Sequence, residues 1–319
     1  SNPRPLEDVP IDAAEPLRLR VVIPHFFREG ASESSGGYGS GRSGNRLARS
    51  LALARCLGGV LGLNRASHDW ILNIAERHLE PTPASALAGL PALQVELHLF
   101  VCGQDWLQEV VELFGPRLQL HQLALEDPRQ LPLAAVRQLL DMDSPADLSL
   151  YLEDDLVIQD HRYADKLAWF SQRTEHRFVL MPHRCEQTVA NAPQRFFVDG
   201  PIKPEDQAEP VWASDEDVVA NGRFWDGQEL GFVQTSNPHS GSFCLSGPQL
   251  EQLRSAQWPP AQFVGPLETA ATGTVLGHFP VLKPSWACRD FLTLEHGNPS
   301  FLRLLSELPQ RLPDPAMGQ

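Results

Sequence analysis

The sequence predicts an α/β protein in which a mainly parallel sheet is flanked by helices and followed by an α+β C-terminal half. Two observations carry this. Short β-rich apolar runs alternate with helical periodicity over residues 17–160, the pattern of strands joined by covering helices. From residue 161 the regularity falls away, with a Pro-, Asp- and Glu-rich stretch over residues 191–222 and only short strand-like runs after it.

In chain order, residues 1–16 form a polar, Pro-containing leader that is expected to be a flexible arm. LRLRVVIPHFF, residues 17–27, reads as a buried first strand. Residues 28–44, REGASESSGGYGSGRSG, have no apolar period and read as a mobile loop or one that closes on a ligand. A helix over residues 45–63 follows, with Leu47, Leu51, Ala54, Leu57 and Leu61 spaced as one face. Residues 94–102 and 118–125 read as strands, each followed by a helix, over 104–114 and 133–142. Leu148–Leu152 is a strand that runs straight into Glu153, Asp154 and Asp155. Beyond it come a helix over 163–172, strands at 178–182, 231–234, 242–246 and 275–281, and a helical piece over 245–256. No internal repeat is present. The expected organisation is one catalytic domain over 17–302, divided into 17–160 and 161–302, with a tail over 303–319.

Charge excludes some functions. The 319 residues carry 26 Lys and Arg against 40 Asp and Glu, a net −14, which opposes a sequence-independent grip on nucleic acid. Five widely spaced cysteines suggest neither a disulfide framework nor a zinc site. No apolar run is long enough to cross a bilayer. The expected location is cytoplasmic or peripheral to the cytoplasmic membrane, although a chain opening on Ser1-Asn2 leaves room for a preceding signal or anchor. Three lysines beside many arginines hint at a GC-rich bacterial genome. Neither a GK[ST] phosphate loop nor a GxGxxG turn follows the first strand, which disfavours P-loop and nicotinamide chemistry.

The acidic triplet is the sharpest feature. Three like charges at the carboxyl end of a strand, where open α/β sheets bind ligands, need compensation. Mg²⁺ or Mn²⁺ supplies it, taking one or two carboxylates and leaving positions for phosphate oxygens. Arg42, Arg46 and Arg49 lie where the long loop meets the helix, and Arg42 and Arg46 are the expected partners of a diphosphate.

With its acidic triplet after an apolar strand, the chain resembles glycosyltransferases of the GT-A fold, whose DxD motif holds a metal on the diphosphate of a nucleotide-sugar. Here the first position is Glu153. The resemblance implies Asp155 as principal metal ligand and Glu153 or Asp154 facing the ribose or donor sugar. HSGSFCLS, residues 239–246, is similar to the small-residue segment lining the donor sugar, with Ser240 and Gly241 as contacts. GPLETAA, residues 265–271, is similar to the helix-opening motif of inverting members and makes Glu268 the general base, although Thr269 stands where many relatives have Asp. LTLEHGN, residues 292–298, places His296 as a returning metal ligand, with His239 and His278 as competitors. The resemblance thus implies a metal-dependent transferase moving a sugar from a nucleotide-sugar donor to a glycan or other hydroxyl acceptor. A nucleotidyltransferase on the same fold and a non-catalytic carbohydrate-binding protein are the rival readings.

Overall fold

The computed structural model describes residues 15–30, 45–83, 90–187, 194–203, 218–256 and 263–311. The expected arm up to residue 14, the tail from 312, and the part of the long loop that holds Arg42 lie outside these residues.

The central sheet has five strands in the order Ser242–Ser246, Leu148–Leu152, Leu17–His25, Leu93–Cys102, Gln119–Leu123. All pairings are parallel except that of Ser242–Ser246 with Leu148–Leu152. The chain starts in the middle strand, winds outward to Gln119–Leu123, then crosses back to place Leu148–Leu152 on the other side. The strand order therefore reverses between Leu17–His25 and Leu148–Leu152, and a crevice forms beyond the carboxyl ends of that pair.

Each face of this sheet has its own core, which is why its strands read as nearly continuous apolar runs. Leu19, Val21 and Ile23 pack with Leu53, Leu57 and Val60 on one face. Val22, Phe100 and Tyr151 pack with Ala135, Val136 and Leu139 on the other.

The helix Arg46–Leu61 forms where expected but presents a different face. Leu47 and Leu51 are 81% and 58% exposed, whereas Arg49, Leu53, Cys56, Leu57 and Val60 turn inward. The leucine spacing was equally compatible with both faces. Packing selects the one on which Gly59 permits close approach, because a Cβ there would lie 2.7 Å from the Ile158 carbonyl oxygen. The segment expected as a strand over 275–281 is also different: Thr269–Gly273 is a π-helical turn, Thr274–Leu276 is helical, and the strand is Val281–Pro284. Ala271, Val275 and Phe279 recur every four residues and fill the second core, a helical spacing that a short apolar run conceals.

Two four-stranded sheets build the C-terminal half. One runs Arg195–Phe197, His183–Gln187, Thr293–His296, Leu156–Val157; the other Val218–Arg223, Glu229–Gln234, Val281–Pro284, Val179–Leu180. A two-stranded hairpin, His68–Asn73 with His78–Pro83, stands apart from all three.

Candidate active site

The crevice at the reversal point is a cleft of about 630 Å³, lined among others by Pro24, Phe26, Arg49, the acidic triplet and His296. Its geometry follows from strand register. Thr293–His296 pairs antiparallel with Leu156–Val157, His296 opposite Leu156, and parallel with His183–Gln187, Glu295 opposite Cys185. One step along from those partners stand Asp155 and Glu186, and both reach the imidazole.

His296 Nε2 lies 3.2 Å from Asp155 Oδ2, and Nδ1 lies 2.6 Å from Glu186 Oε1. Burial by itself would lower the His296 pKa, but hydrogen bonds to Asp155 and Glu186 outweigh it and raise the value to about 9. The two carboxylates thus favour the protonated imidazole, and a metal taken up through Nε2 would displace the proton that Nε2 shares with Asp155. Burial would raise the Asp155 pKa, yet His296, Arg49 and Arg184 hold it below the ordinary range. Glu186 is completely buried and also accepts the backbone N–H groups of Ser300 and Phe301, fixing the segment that rims the cleft. Sequence reasoning missed Glu186, which sits in a strand with no motif around it.

The three acidic side chains diverge. Asp154 Oδ2 accepts from Arg49 Nη2 at 2.7 Å and from His25 Nδ1 at 2.6 Å. The His25 tautomer is fixed because its Nε2 accepts the Leu107 N–H at 3.1 Å. Asp154 is therefore the anchor of the turn. Glu153 bends the other way, toward Arg184 Nη1 at 3.9 Å. Burial pushes its carboxyl up to about 8, with Arg184 opposing and the charges of Asp155 and Glu268 adding to the rise. Arg184 is itself locked on buried Asp199 by two bonds of 2.9 and 2.8 Å.

Arg49 and Arg303, and not Arg46, are the arginines among the described residues that line the cleft. The expectation for Arg46 is corrected: it reaches outward to Glu109 at 2.7 Å and Glu29 at 3.4 Å, because the helix turns its Arg49 face to the sheet. Arg49 Nη1 also lies 3.7 Å from Asp155 Oδ2.

Ser240 and Gly241 do not face the cleft as expected. Ser240 is fully buried, its hydroxyl donating to the Ser242 carbonyl at 3.0 Å. Gly241 has φ +65°, and a Cβ there would lie 2.8 Å from Glu153 Oε2, so its small size makes room for the Glu153 carboxyl. His239 is a competitor no longer: its Nδ1 bonds Thr272 Oγ1 at 2.8 Å, away from the acidic turn. Glu268 stands in the first turn of the helix Pro266–Glu268, its Oε2 accepting the Gly265 N–H at 3.2 Å, beside Leu267 on the cleft wall.

The Asp155 carboxylate is a donor that suits a hard divalent cation, and the His296 imidazole is an acceptable, less preferred one. Neighbouring ligand atoms around an octahedral Mg²⁺ or Mn²⁺ are about 3 Å apart, close to the separation of Asp155 Oδ2 and His296 Nε2. A carboxylate on the far imidazole nitrogen is the usual support of a metal-binding histidine.

No family model and no curated protein matches the sequence. Among solved structures the chain is similar to S. aureus TarS 1–349, at a TM-score of 0.40 and 10% identity, over 85% of this chain and 58% of that one. It is also similar to GalNAc-T7 crystallised with UDP, GalNAc and Mn²⁺, at a TM-score of 0.40 and 13% identity, over 90% of this chain and 45% of that one. A TarS 1–349 complex with UDP-GlcNAc aligns at a TM-score of 0.29 and 14% identity, over 56% of this chain and 37% of that one. The chain thus covers between 37% and 58% of these structures.

Proposed function

We propose that the protein is a GT-A-type glycosyltransferase that moves a sugar from a nucleotide-sugar to a hydroxyl acceptor, such as a glycan, with inversion. The observation that supports this best is the meeting of Asp155 and His296 in a cleft at the strand-order reversal. Asp155 and His296 would hold Mn²⁺ or Mg²⁺, whose chemical contribution is to neutralise the departing diphosphate. A set of two protein ligands leaves positions for phosphate oxygens and water.

The chain's own residues do the rest. Arg49, held at the floor by Asp154, adds positive charge beside the diphosphate site. Glu186 orients His296. Glu268 has one oxygen on the Gly265 N–H and a second to accept the acceptor's proton. As that proton leaves, the acceptor oxygen bonds to the anomeric carbon and the diphosphate departs with the electron pair of the broken bond. Glu153, close to Glu268 and buried, faces the donor-sugar side of the turn.

The test is a thermal-shift series with nucleoside diphosphates, with and without Mn²⁺. The expected result is stabilisation that requires both partners together. Stabilisation by a free sugar or glycan, with no response to any nucleotide, would instead favour a carbohydrate-binding protein and overturn the transferase reading.

A further inference from the structure

The hairpin His68–Asn73 with His78–Pro83 is two-faced. Its register pairs Trp70 with Pro81 and Leu72 with Leu79, which puts these four on one side. Asp69 with Thr82, Ile71 with Glu80 and Asn73 with His78 make the other. The second side is internally bonded, Glu80 Oε1 accepting from Asn73 Nδ2 at 2.8 Å and lying 2.6 Å from His78 Nε2. Among the described residues, Trp70, Leu72 and Leu79 on the first side remain 60%, 61% and 61% exposed, and Ile74 in the turn is 79% exposed. An isolated two-stranded hairpin with a bare apolar face is marginal in water, and this alternation is that of a sheet with one side buried.

We infer that this apolar face is covered by the same face of a second copy of the chain, giving a two-fold homodimer. Three observations select that occupant. The strand residues of this face include His68 but no carboxylate, Lys or Arg, whereas Asp69 and Glu80 lie on the opposite side, so identical faces meet without bringing carboxylates together. Pro81 and Pro83 supply no N–H, so the His78–Pro83 edge is blunted against adding a further strand, which favours contact through the face. The exposed apolar side chains offer on the order of 500 Å² per copy, hence about 1,000 Å² for the pair, the lower bound of a specific interface. An anionic membrane is a poor alternative for a chain of net charge −14, with Asp69, Glu76 and Glu80 on this hairpin against Arg77.

Sedimentation velocity of the full chain from low to high micromolar concentration tests the proposal. The wild type is expected to pass from monomer to dimer across that range. Trp70→Glu and Leu79→Glu, on the apolar face, should weaken the dimer about tenfold or more, whereas Ile71→Glu, on the other face, should leave it intact. All three sites are exposed, so at concentrations low enough for every form to be monomeric the unfolding midpoints should stay at the wild-type value. A wild type that remains monomeric, a dimer that survives Trp70→Glu, or equal loss with Ile71→Glu would overturn the inference. So would a monomer that binds phosphatidylcholine vesicles through Trp70, which would put lipid in the partner's place.

Discussion

His296 Nε2 and Asp155 Oδ2 lie 3.2 Å apart across 141 positions of sequence, joined by the strand that places His296 beside Leu156. If this pair holds the metal, Asp155→Asn removes the anionic ligand while keeping the shape of the turn. At a ligand concentration of about 100 Kd, binding should stabilise the wild type by about 2.7 kcal/mol. Asp155→Asn should lose the Mn²⁺-dependent part of that shift. An unchanged shift in the variant would refute the ligand assignment.

Glu186 bonds His296 and two backbone N–H groups from a fully buried position. Glu186→Gln keeps its size but cannot accept both the imidazole and the backbone donors as a charge does. Mn²⁺ affinity measured by calorimetry should fall about 10- to 100-fold. Glu186→Ala, which leaves the imidazolium and those donors buried without this partner, should cost about 3–5 kcal/mol in chemical denaturation.

For Glu268 the expectation separates binding from transfer. Glu268→Gln can still accept from the Gly265 N–H, so the folded state and the diphosphate-dependent thermal shift should both persist. Sugar transfer should fall about 10²- to 10⁴-fold. Transfer at the wild-type rate would show that another group takes the proton.

Gly59 tests the packing that aims Arg49 into the cleft. Its missing Cβ would meet the Ile158 carbonyl oxygen at 2.7 Å and the Ile158 nitrogen at 3.2 Å, both backbone atoms that cannot swing aside. Gly59→Ala should therefore destabilise the fold by about 1–3 kcal/mol despite the better helix propensity of Ala. A variant as stable as the wild type would show that helix and strand can separate freely.

His183 provides a pH signature from a residue that does not line the cleft. Burial, aided by the charge of Lys283, lowers its pKa from 6.5 to about 4, while its Nε2–H donates to the Pro284 carbonyl at 2.7 Å. Between these values the unfolded state takes up a proton that the native state refuses. The contribution of His183 to stability is thus complete above about pH 6.5 and lost as pH falls to about 4. The stability advantage of wild type over His183→Gln should shrink over that window, and the imidazole proton resonance should titrate near its lower end. Titration near pH 6.5 in the folded protein would contradict the burial.

The position of the acidic turn is legible in the sequence, because Leu148, Leu150 and Leu152 alternate along the strand and it ends at Leu152 as expected. The hairpin was not legible. Its polar side and its apolar side interleave in HDWILN and HLEPTP, and Trp70, Leu72 and Leu79 are exposed and belong to neither core of the described residues. Likewise Arg46 and Arg49 are alike as residues three apart on one helix. Only the direction in which the helix packs distinguishes an exposed arginine paired with Glu109 from a buried one on Asp154.

Local pattern alone therefore determined the alternating order of strands and helices, the mainly parallel sheet and the carboxylates at a strand end, since each depends on neighbours within a few residues. Tertiary structure decided which carboxylate does what. Asp154 is bound by His25 and Arg49, Glu153 is pressed against Gly241, and Asp155 alone is left facing His296. Adjacent residues in a turn point in different directions, and what each one meets comes from segments distant in sequence, brought alongside by register and by the apolar cores beneath them.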